Sequence, residues 1–249
     1  IDASAEYEVG MALAAGIPAG DIILNGNGKS DAALEAAARL GMRQVNVDSR
    51  DEAERLQAIA ARLGTTVRCL VRVQLTYAEL LANDPAFEST LRIGEGKFGN
   101  NVGTGQAMAT IEAVVRAPNL EFLGLSHHVG FSGYMGDYTP EKELAHHRDA
   151  NRELARFANE ASAAFGAPIR RLDLGGGFRT GREVLLSTPG AGADVAFHPV
   201  PTAEQYAEAV FGTLEAELRA RSERPLVQFE TGGWQIADAV VLLARVAAV

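Results

Sequence analysis

The segment Arg170-Arg171-Leu172-Asp173-Leu174-Gly175-Gly176-Gly177-Phe178 is an apolar strand candidate that runs directly into three glycines. Short runs of this kind alternate along the chain with longer segments at helical spacing, which predicts βα units around a parallel sheet. The alternation predicts seven strands, one fewer than the eight that close an α/β barrel. They cover residues 1–4, 22–24, 44–47, 66–75, 121–128, 170–174 and 226–230.

The helical segments complete the same scheme and predict the fold class. We expect an α/β protein, a (β/α)8 barrel of the TIM type whose first strand would precede Ile1. Residues 1–249 would then form one barrel domain that is incomplete at both ends. An open doubly wound sheet has the same local pattern and stays an alternative. Helices are expected at residues 6–15, 31–40, 51–63, 105–116, 141–165 and 203–219.

Composition excludes several classes of protein. The net charge of −9 argues against non-specific nucleic-acid binding, which depends on lysines and arginines that neutralise phosphates. No apolar run approaches the roughly 18 residues of a membrane span. The single cysteine, Cys69, lies in an apolar run and cannot form an intrachain disulfide, so a buried strand residue and a reducing compartment are expected. We therefore expect a cytoplasmic protein that does not bind membranes.

The triple glycine Gly175–Gly177 is the first candidate site. Residues without side chains let backbone N–H groups approach an anion closely, as phosphate loops require. The segment follows a predicted barrel strand, and barrel sites form at the carboxyl ends of the strands. The alternative is a βα turn that contains glycine only for tight packing.

Histidines end another predicted strand, in Ser126-His127-His128-Val129-Gly130. Adjacent strand residues point to opposite faces, so the pair cannot chelate one metal ion as neighbours, and one of the two should face the barrel mouth. The remaining histidines lack a metal-ligand spacing and are expected to be solvated. They are His146, His147 and His198.

A carboxylate ends the last predicted strand, in Glu230-Thr231-Gly232-Gly233. An acidic residue at this place often caps the next helix. The functional alternative is a carboxylate that pairs with a protonated ring nitrogen, as a pyridoxal cofactor requires. Elsewhere, Gly28-Lys29-Ser30 imitates a nucleotide-binding loop, but that motif requires a glycine where this chain has Ile23.

In this order, these segments resemble the fold type III pyridoxal-phosphate decarboxylases, the alanine-racemase-like barrel family that includes diaminopimelate, ornithine and arginine decarboxylases. The likeness covers nearly the whole chain, and its specificity lies in the order of motifs that are weak singly. Further segments that match in order are Ile1–Ser4 with Glu8, Ile22–Ser30, Asn46–Ser49 with Glu52, Leu70–Val73 and Lys97–Gly99.

The resemblance implies a cofactor, pyridoxal 5'-phosphate, and a role for each motif. By that similarity His128 stacks on the cofactor ring, Gly175, Gly176 and Gly177 hold the phosphate, and Glu230 binds the pyridine nitrogen. Asp2 and Arg72 would lie near the ring, outside direct contact with the reacting atoms.

Two departures from the family pattern concern the phosphate. Where the family has histidine-valine-glycine-serine, this chain has Phe131 before Ser132, so the contact from Ser132 would shift by one residue or vanish. Where the family has glutamate-proline-glycine-arginine, Glu230 is followed by Thr231, Gly232 and Gly233, and the phosphate-binding arginine is absent. We hypothesise that Arg179 or Arg182 replaces it.

The family's Schiff-base lysine matches none of the three lysines of this chain, which are Lys29, Lys97 and Lys142. We expect it before Ile1, on the strand missing from the count. A second, β-rich domain that supplies substrate-binding groups across a homodimer interface would follow Val249.

The implied reaction is decarboxylation of an amino acid, diaminopimelate-like or basic, by a homodimer. Racemisation on the same barrel is an alternative, but racemases of this fold place an arginine on the pyridine nitrogen, so Glu230 favours decarboxylation. A non-catalytic protein that binds pyridoxal phosphate is a further alternative, because both departures affect the phosphate site.

Overall fold

A computed structural model describes residues 1–83, 85, 98–129, 139–179, 199–218 and 224–236. Seven of its strands form one parallel sheet in the order β1-β2-β3-β4-β6-β7-β8, and the two-residue β5 pairs with β4. The strands are β1 Asp2–Ala3, β2 Ile23–Leu24, β3 Gln44–Val47, β4 Val67–Gln74, β5 Asn100–Asn101, β6 Leu120–Ser126, β7 Arg171–Asp173 and β8 Leu226–Gln228.

Helices connect the strands and cover the outside of the sheet. They are α1 Glu6–Ala14, α2 Asp31–Leu40, α3 Arg50–Leu63, α4 Ala78–Asn83, α5 Gln106–Arg116, α6 Pro140–Phe165, α7 Ala203–Glu217 and α8 Gly232–Ile236.

Local sequence explains where the longer helices begin and end. The side-chain oxygens of Ser30, Ser49 and Thr202 each accept a hydrogen bond from the third backbone N–H of the helix that follows. At the other end, Gly41 and Gly64 take left-handed conformations that stop α2 and α3, with φ of 64° at both. Because these signals are local, the bounds of α2 and α3 lie within a residue of their predictions.

The strand order distinguishes the two predicted architectures. A doubly wound sheet reverses its order at a switch point, whereas here the order along the sheet follows the order along the chain. The sheet also curls: Asn46 of β3 donates to Ser126 of β6 over 3.3 Å, and Arg171 of β7 donates to Gln44 of β3 over 2.8 Å. Side chains of strands that are not neighbours meet only across a concave face, so the prediction of an incomplete α/β barrel is confirmed.

Polar side chains occupy one level of the concave face at the carboxyl ends of four strands. Arg72 lies beside Ser126, Ser126 beside Asp173, and Asp173 beside Gln228 in the strand register. Apolar residues such as Val71, Leu125 and Leu172 alternate with them and pack in the core. The polar side chains therefore lie on the concave face of the sheet, and the apolar side chains lie on its opposite face.

The cysteine prediction is confirmed, since Cys69 of β4 is fully buried. The prediction that His146 and His147 are solvated is wrong: both are buried, because their face of α6 packs against neighbouring elements, including α7. Four short elements were not predicted, namely α4, β5, α8 and a 3-10 helix at Ala19–Asp21. In the described ranges, no helix combines the length and the apolar character that crossing a membrane requires.

Candidate active site

Three carboxyl groups lie together at the carboxyl end of the sheet. Glu230 is the second residue after β8, and its backbone N–H donates to the carbonyl of Gly175 over 2.8 Å. Asp173 ends β7 and is buried, while Asp2 lies in β1 at the other edge of the curled sheet. The charges of Asp173 and Asp2 both act on Glu230. The curl of the sheet therefore brings its first and last strands to one site.

The pKa values of these three carboxyl groups are raised above their ordinary values. Burial, followed by the charges of Asp173 and Asp2, raises the pKa of Glu230 to about 8. Burial also raises the pKa of Asp173. Solvent reaches Asp2 at the sheet edge, yet crowding by surrounding protein atoms raises the pKa of its carboxyl to about 6, partly offset by a hydrogen bond from Asn25. A positively charged partner would stabilise the ionised forms of these carboxyl groups.

Arg72 and Asn25 approach the carboxyl cluster from the side. The guanidinium of Arg72 lies 4.7 Å from the ring centroid of Phe98 and donates from Nη1 to Asn25 Oδ1 over 3.0 Å. Since an arginine can only donate, it fixes the oxygen of the Asn25 amide toward itself. The amide nitrogen of Asn25 then points at Glu230 and donates to Oε1 over 2.7 Å. Asn25 is 2% exposed, so this orientation is enforced in the interior.

The glycine turn packs between the ends of two strands. A Cβ on Gly175 would lie 2.8 Å from His128 Cα, and φ of Gly175 is 68°. A Cβ on Gly176 would overlap the carbonyl oxygen of Glu230 and lie 3.4 Å from His128 Nε2. Both glycines are therefore required for close packing. Across the described ranges, no hydrogen-bond acceptor is found for the N–H groups of Gly176 and Gly177.

The two adjacent histidines behave differently, as strand alternation predicted. His127 is 1% exposed, and burial lowers its pKa to about 3. His128 is partly exposed at the cavity, and burial together with the charge of Arg72 lowers its pKa to about 4. His128 is thus a neutral ring at the mouth of the site at physiological pH.

A cavity of about 710 Å³ is lined by most of the residues that the sequence analysis named as candidate site residues. Arg72, Gly175 and Gly176 are not among the lining residues: Arg72 is connected to Glu230 of the lining through Asn25, and the two glycines shape the turn. Ser132 and Arg182 lie outside the described residues. The sequence-predicted residues that line the cavity are Asp2, His128, Gly177, Glu230, Thr231, Gly232 and Gly233.

Two basic residues have structural partners. Lys29 is 5% exposed, and its ammonium bonds to Glu52 and to the carbonyls of Gly26 and Asn46, which argues against a nucleotide-binding loop. Arg179 is 3% exposed and its Nε lies 3.0 Å from the carboxylate of Glu143. This pairing argues against the hypothesis that Arg179 replaces the missing phosphate arginine.

Sequence reasoning gave no role to Asn25 or Asp173, although both belong to the site. The signal was present: Asn25 directly follows a predicted strand, and Asp173 is a charged residue inside an apolar strand. Asn25 before glycine reads equally well as a turn residue. Its partner Glu230 lies 205 positions away, so the pair becomes visible only in three dimensions.

Comparisons with known proteins agree with this geometry. The family model described as the pyridoxal binding domain of pyridoxal-dependent decarboxylases matches residues 1–234. A diaminopimelate decarboxylase from Actinosynnema pretiosum subsp. auranticum is 32% identical over all of this chain and 50% of its own length. One from Mycobacterium tuberculosis is 36% identical over 71% of this chain and 38% of its own length. The chain thus spans about half or less of the length of these relatives.

Solved structures show the same fold at lower identity. Diaminopimelate decarboxylase from M. jannaschii in complex with L-lysine superposes with a TM-score of 0.76 at 22% identity, over 93% of this chain and 47% of that one. Lysine/ornithine decarboxylase from Vibrio vulnificus, complexed with putrescine, gives 0.59 at 24% identity over 93% and 49%. At these identities the superpositions establish the barrel architecture.

Proposed function

The chain belongs to the family of the pyridoxal binding domain of pyridoxal-dependent decarboxylases, and from this we propose that the full-length protein decarboxylates an amino acid with pyridoxal 5'-phosphate. The observation that carries the proposal is Glu230, an acid held by Asn25 at the end of β8 beside Asp2 and Asp173. The same proposal treats residues 1–249 as one barrel domain.

The residues present fit this cofactor. A pyridine ring with a protonated nitrogen would bring a further positive charge to the carboxyl cluster, and Glu230 lines the cavity as its acceptor. The N–H groups of Gly176 and Gly177 supply donors for a phosphate within the same neighbourhood. When bound, pyridoxal phosphate supplies an electron-accepting ring whose protonated nitrogen stabilises negative charge at the α-carbon of an amino acid.

Glu230 would hold the proton at the ring nitrogen. Burial and the neighbouring carboxyls raise the pKa of Glu230 in the cofactor-free protein, and a protonated ring nitrogen beside it would stabilise the carboxylate by forming a charge pair. Asn25 keeps Oε1 of Glu230 in place, and Arg72 keeps Asn25 from flipping. The three residues form a connected set behind the ring.

His128 and the glycine turn position the remainder of the cofactor. His128 is held against the turn, 3.4 Å from the place of a Cβ on Gly176, and its low pKa keeps the ring uncharged. A neutral imidazole stacks on a pyridinium without charge repulsion. The packing of Gly175 on His128 would keep the residue that stacks on the ring next to the turn that binds the phosphate.

The substrate and the assembly are inferred from the relatives. One solved neighbour is a diaminopimelate decarboxylase in complex with L-lysine, so we propose a diaminopimelate-like or basic amino acid as substrate. A homodimer and a Schiff-base lysine before Ile1 belong to the same proposal. Among the described residues, the cavity contains no lysine side chain.

The test uses the full-length protein. We expect a visible absorbance band on addition of pyridoxal phosphate, and release of carbon dioxide from one member of a panel that includes diaminopimelate, lysine, ornithine and arginine. Chiral analysis of the recovered amino acid tests racemisation. Inversion without carbon dioxide release would contradict decarboxylation in favour of a racemase. Cofactor binding without turnover would favour a non-catalytic protein, and absence of the band would overturn the cofactor itself.

A further inference from the structure

Arg179, the second residue after the glycine turn, is anchored in a buried ionic cluster. Arg179 Nε lies 3.0 Å from Glu143 Oε2 of α6, and both side chains are at most 3% exposed. The hydroxyl of Tyr206 in α7 donates to Glu143 Oε1 over 2.5 Å and accepts from the backbone N–H of Arg179 over 3.3 Å. Glu143, Arg179 and Tyr206, here called the anchor cluster, thus hold both the side chain and the backbone of Arg179.

The anchor cluster reaches the other side of the cavity through Trp234. The indole N–H of Trp234 in α8 donates to the carbonyl of Arg179 over 2.6 Å. Helix α8 begins two residues after Glu230, and Trp234 lines the cavity with Glu230 itself. Arg179 therefore connects the glycine turn after β7 to the segment after β8, and both to α6 and α7.

Aromatic packing reinforces these bonds. Phe178 is stacked on His147 with ring centroids 5.1 Å apart, and it meets Tyr206 at 5.0 Å and Trp234 at 5.5 Å. Phe229, just before Glu230, lies 5.7 Å away on another side. Because the Phe178 side chain is surrounded by other rings, the backbone of Phe178 is held in one position. Gly177, which lines the cavity, is the residue directly before it.

A buried ion pair contributes little net stability compared with an apolar replacement, because removing two charges from water costs nearly as much as their attraction returns. The better-supported role of such a pair is to select one arrangement among several. Here that arrangement determines where the N–H groups of Gly176 and Gly177 point.

We propose that Glu143 and Arg179 are positioning residues, which, together with Tyr206, hold the glycine turn and α8 in the conformation that binds the phosphate of the cofactor. This inference rests on the proposed function. It differs from a direct phosphate contact by Arg179, because the guanidinium is turned toward Glu143 inside the protein.

The experiment compares pyridoxal phosphate with pyridoxal, which lacks the phosphate, in the full-length protein. Dissociation constants of both are measured for the wild type, Glu143→Gln and Tyr206→Phe. We expect the preference for the phosphorylated form to fall by about tenfold or more in each variant, as expected for donors that lose their alignment. Leu154→Ala is the matched control, since Leu154 is a buried apolar residue of the same helix. It should lower the melting temperature and leave the preference unchanged.

A second readout does not depend on the cofactor. Amide hydrogen exchange of residues 174–179 and 231–236 in the cofactor-free protein should accelerate in Glu143→Gln and Tyr206→Phe, and stay at the wild-type rate in Leu154→Ala. A wild-type preference and wild-type exchange in both variants would overturn the positioning role. Failure of the wild type to bind pyridoxal phosphate would instead sink the proposed function. Faster exchange in both variants would then still support the anchor.

Discussion

At the scale of single residues, Glu230, the acid proposed to bind the ring nitrogen, is also a source of instability in the cofactor-free protein. The pKa of Glu230 rises from 4.5 to about 8 on folding, so the folded protein binds more protons than the unfolded chain between these pH values. The contribution of Glu230 to stability is therefore greatest below pH 4.5 and is lost as the pH rises through 8. Activity and stability make opposite demands on this position.

We predict that Glu230→Gln stabilises the cofactor-free protein at about pH 8.5, by a few degrees in melting temperature, while it abolishes most of the decarboxylase activity. Glutamine keeps an oxygen for Asn25 and removes the charge. The stabilisation should shrink at about pH 5, where Glu230 is protonated. Glu35→Gln is the control: the hydrogen bond from Arg62 lowers the pKa of this exposed carboxyl, so its effect should not vary between these pH values. A Gln variant less stable than the wild type at pH 8.5 would contradict the account.

Asn25 has a separate prediction, because it acts through Glu230. Asn25→Ala removes a donor to the carboxylate and leaves Arg72 without its acceptor, so turnover should fall by about tenfold. The alkaline limb of the pH profile should move to higher pH, since a lost donor raises the pKa of Glu230 further. Asn119→Ala is matched to it: Asn119 bonds to the carbonyl of Thr65 at the opposite end of the strands. An unchanged pH profile for Asn25→Ala would show that the contact has no influence on Glu230.

At the scale of elements, the glycine turn has no room for a side chain on its second residue. Gly176→Ala should displace the end of β8, because the new Cβ overlaps the carbonyl oxygen of Glu230. We expect lost cofactor affinity together with a destabilisation of more than about 1 kcal/mol. Gly212→Ala, within α7 and with open space around it, should stabilise by roughly 0.5–1 kcal/mol. Thermal melts and cofactor titrations of both variants test this prediction. Equal melting temperatures and equal cofactor affinities in the two variants would refute the packing argument.

Helix α8 offers a test of the missing phosphate arginine. Gly233 lines the cavity, and a Cβ there would only reach ordinary contact with the carbonyl of Phe178 at 4.0 Å. Gly233→Arg should therefore be accommodated and should tighten pyridoxal phosphate binding by about tenfold, as expected for a charged hydrogen bond. Gly233→Gln, of similar length without the charge, is the control. Equal affinities for the two variants would show that no phosphate lies near this position.

The helices also show which structural features could be predicted from sequence patterns. Helices α2 and α3 were predicted well because capping serines and terminal glycines are local signals. Helix α8 was missed because two glycines open it, and α4 because it is a short helix in a stretch that reads as irregular. His147 was predicted to be solvated but is buried. Its burial depends on contacts with Phe178 and α7, and the helical periodicity of the sequence cannot predict contacts with other elements.

At the scale of the whole molecule, function depends on the curl of the sheet. Asp2 in the first strand and Glu230 after the last belong to one site because strands β1 to β8 bend toward each other. The order of motifs along the chain was sufficient to predict the barrel and the three cofactor contacts assigned to His128, Gly175–Gly177 and Glu230, which stay predictions until binding is measured. The Arg72–Asn25–Glu230 connection was not predictable, since it crosses the concave face.

The most direct measurement is the nitrogen chemical shift of ¹⁵N-labelled pyridoxal phosphate bound to the full-length protein. If Glu230 holds a proton at the ring nitrogen, the wild type will show the shift of a protonated pyridine at neutral pH, and Glu230→Gln will show that of an unprotonated one. An unprotonated shift in the wild type, or the same protonated shift in both proteins, would contradict the central claim.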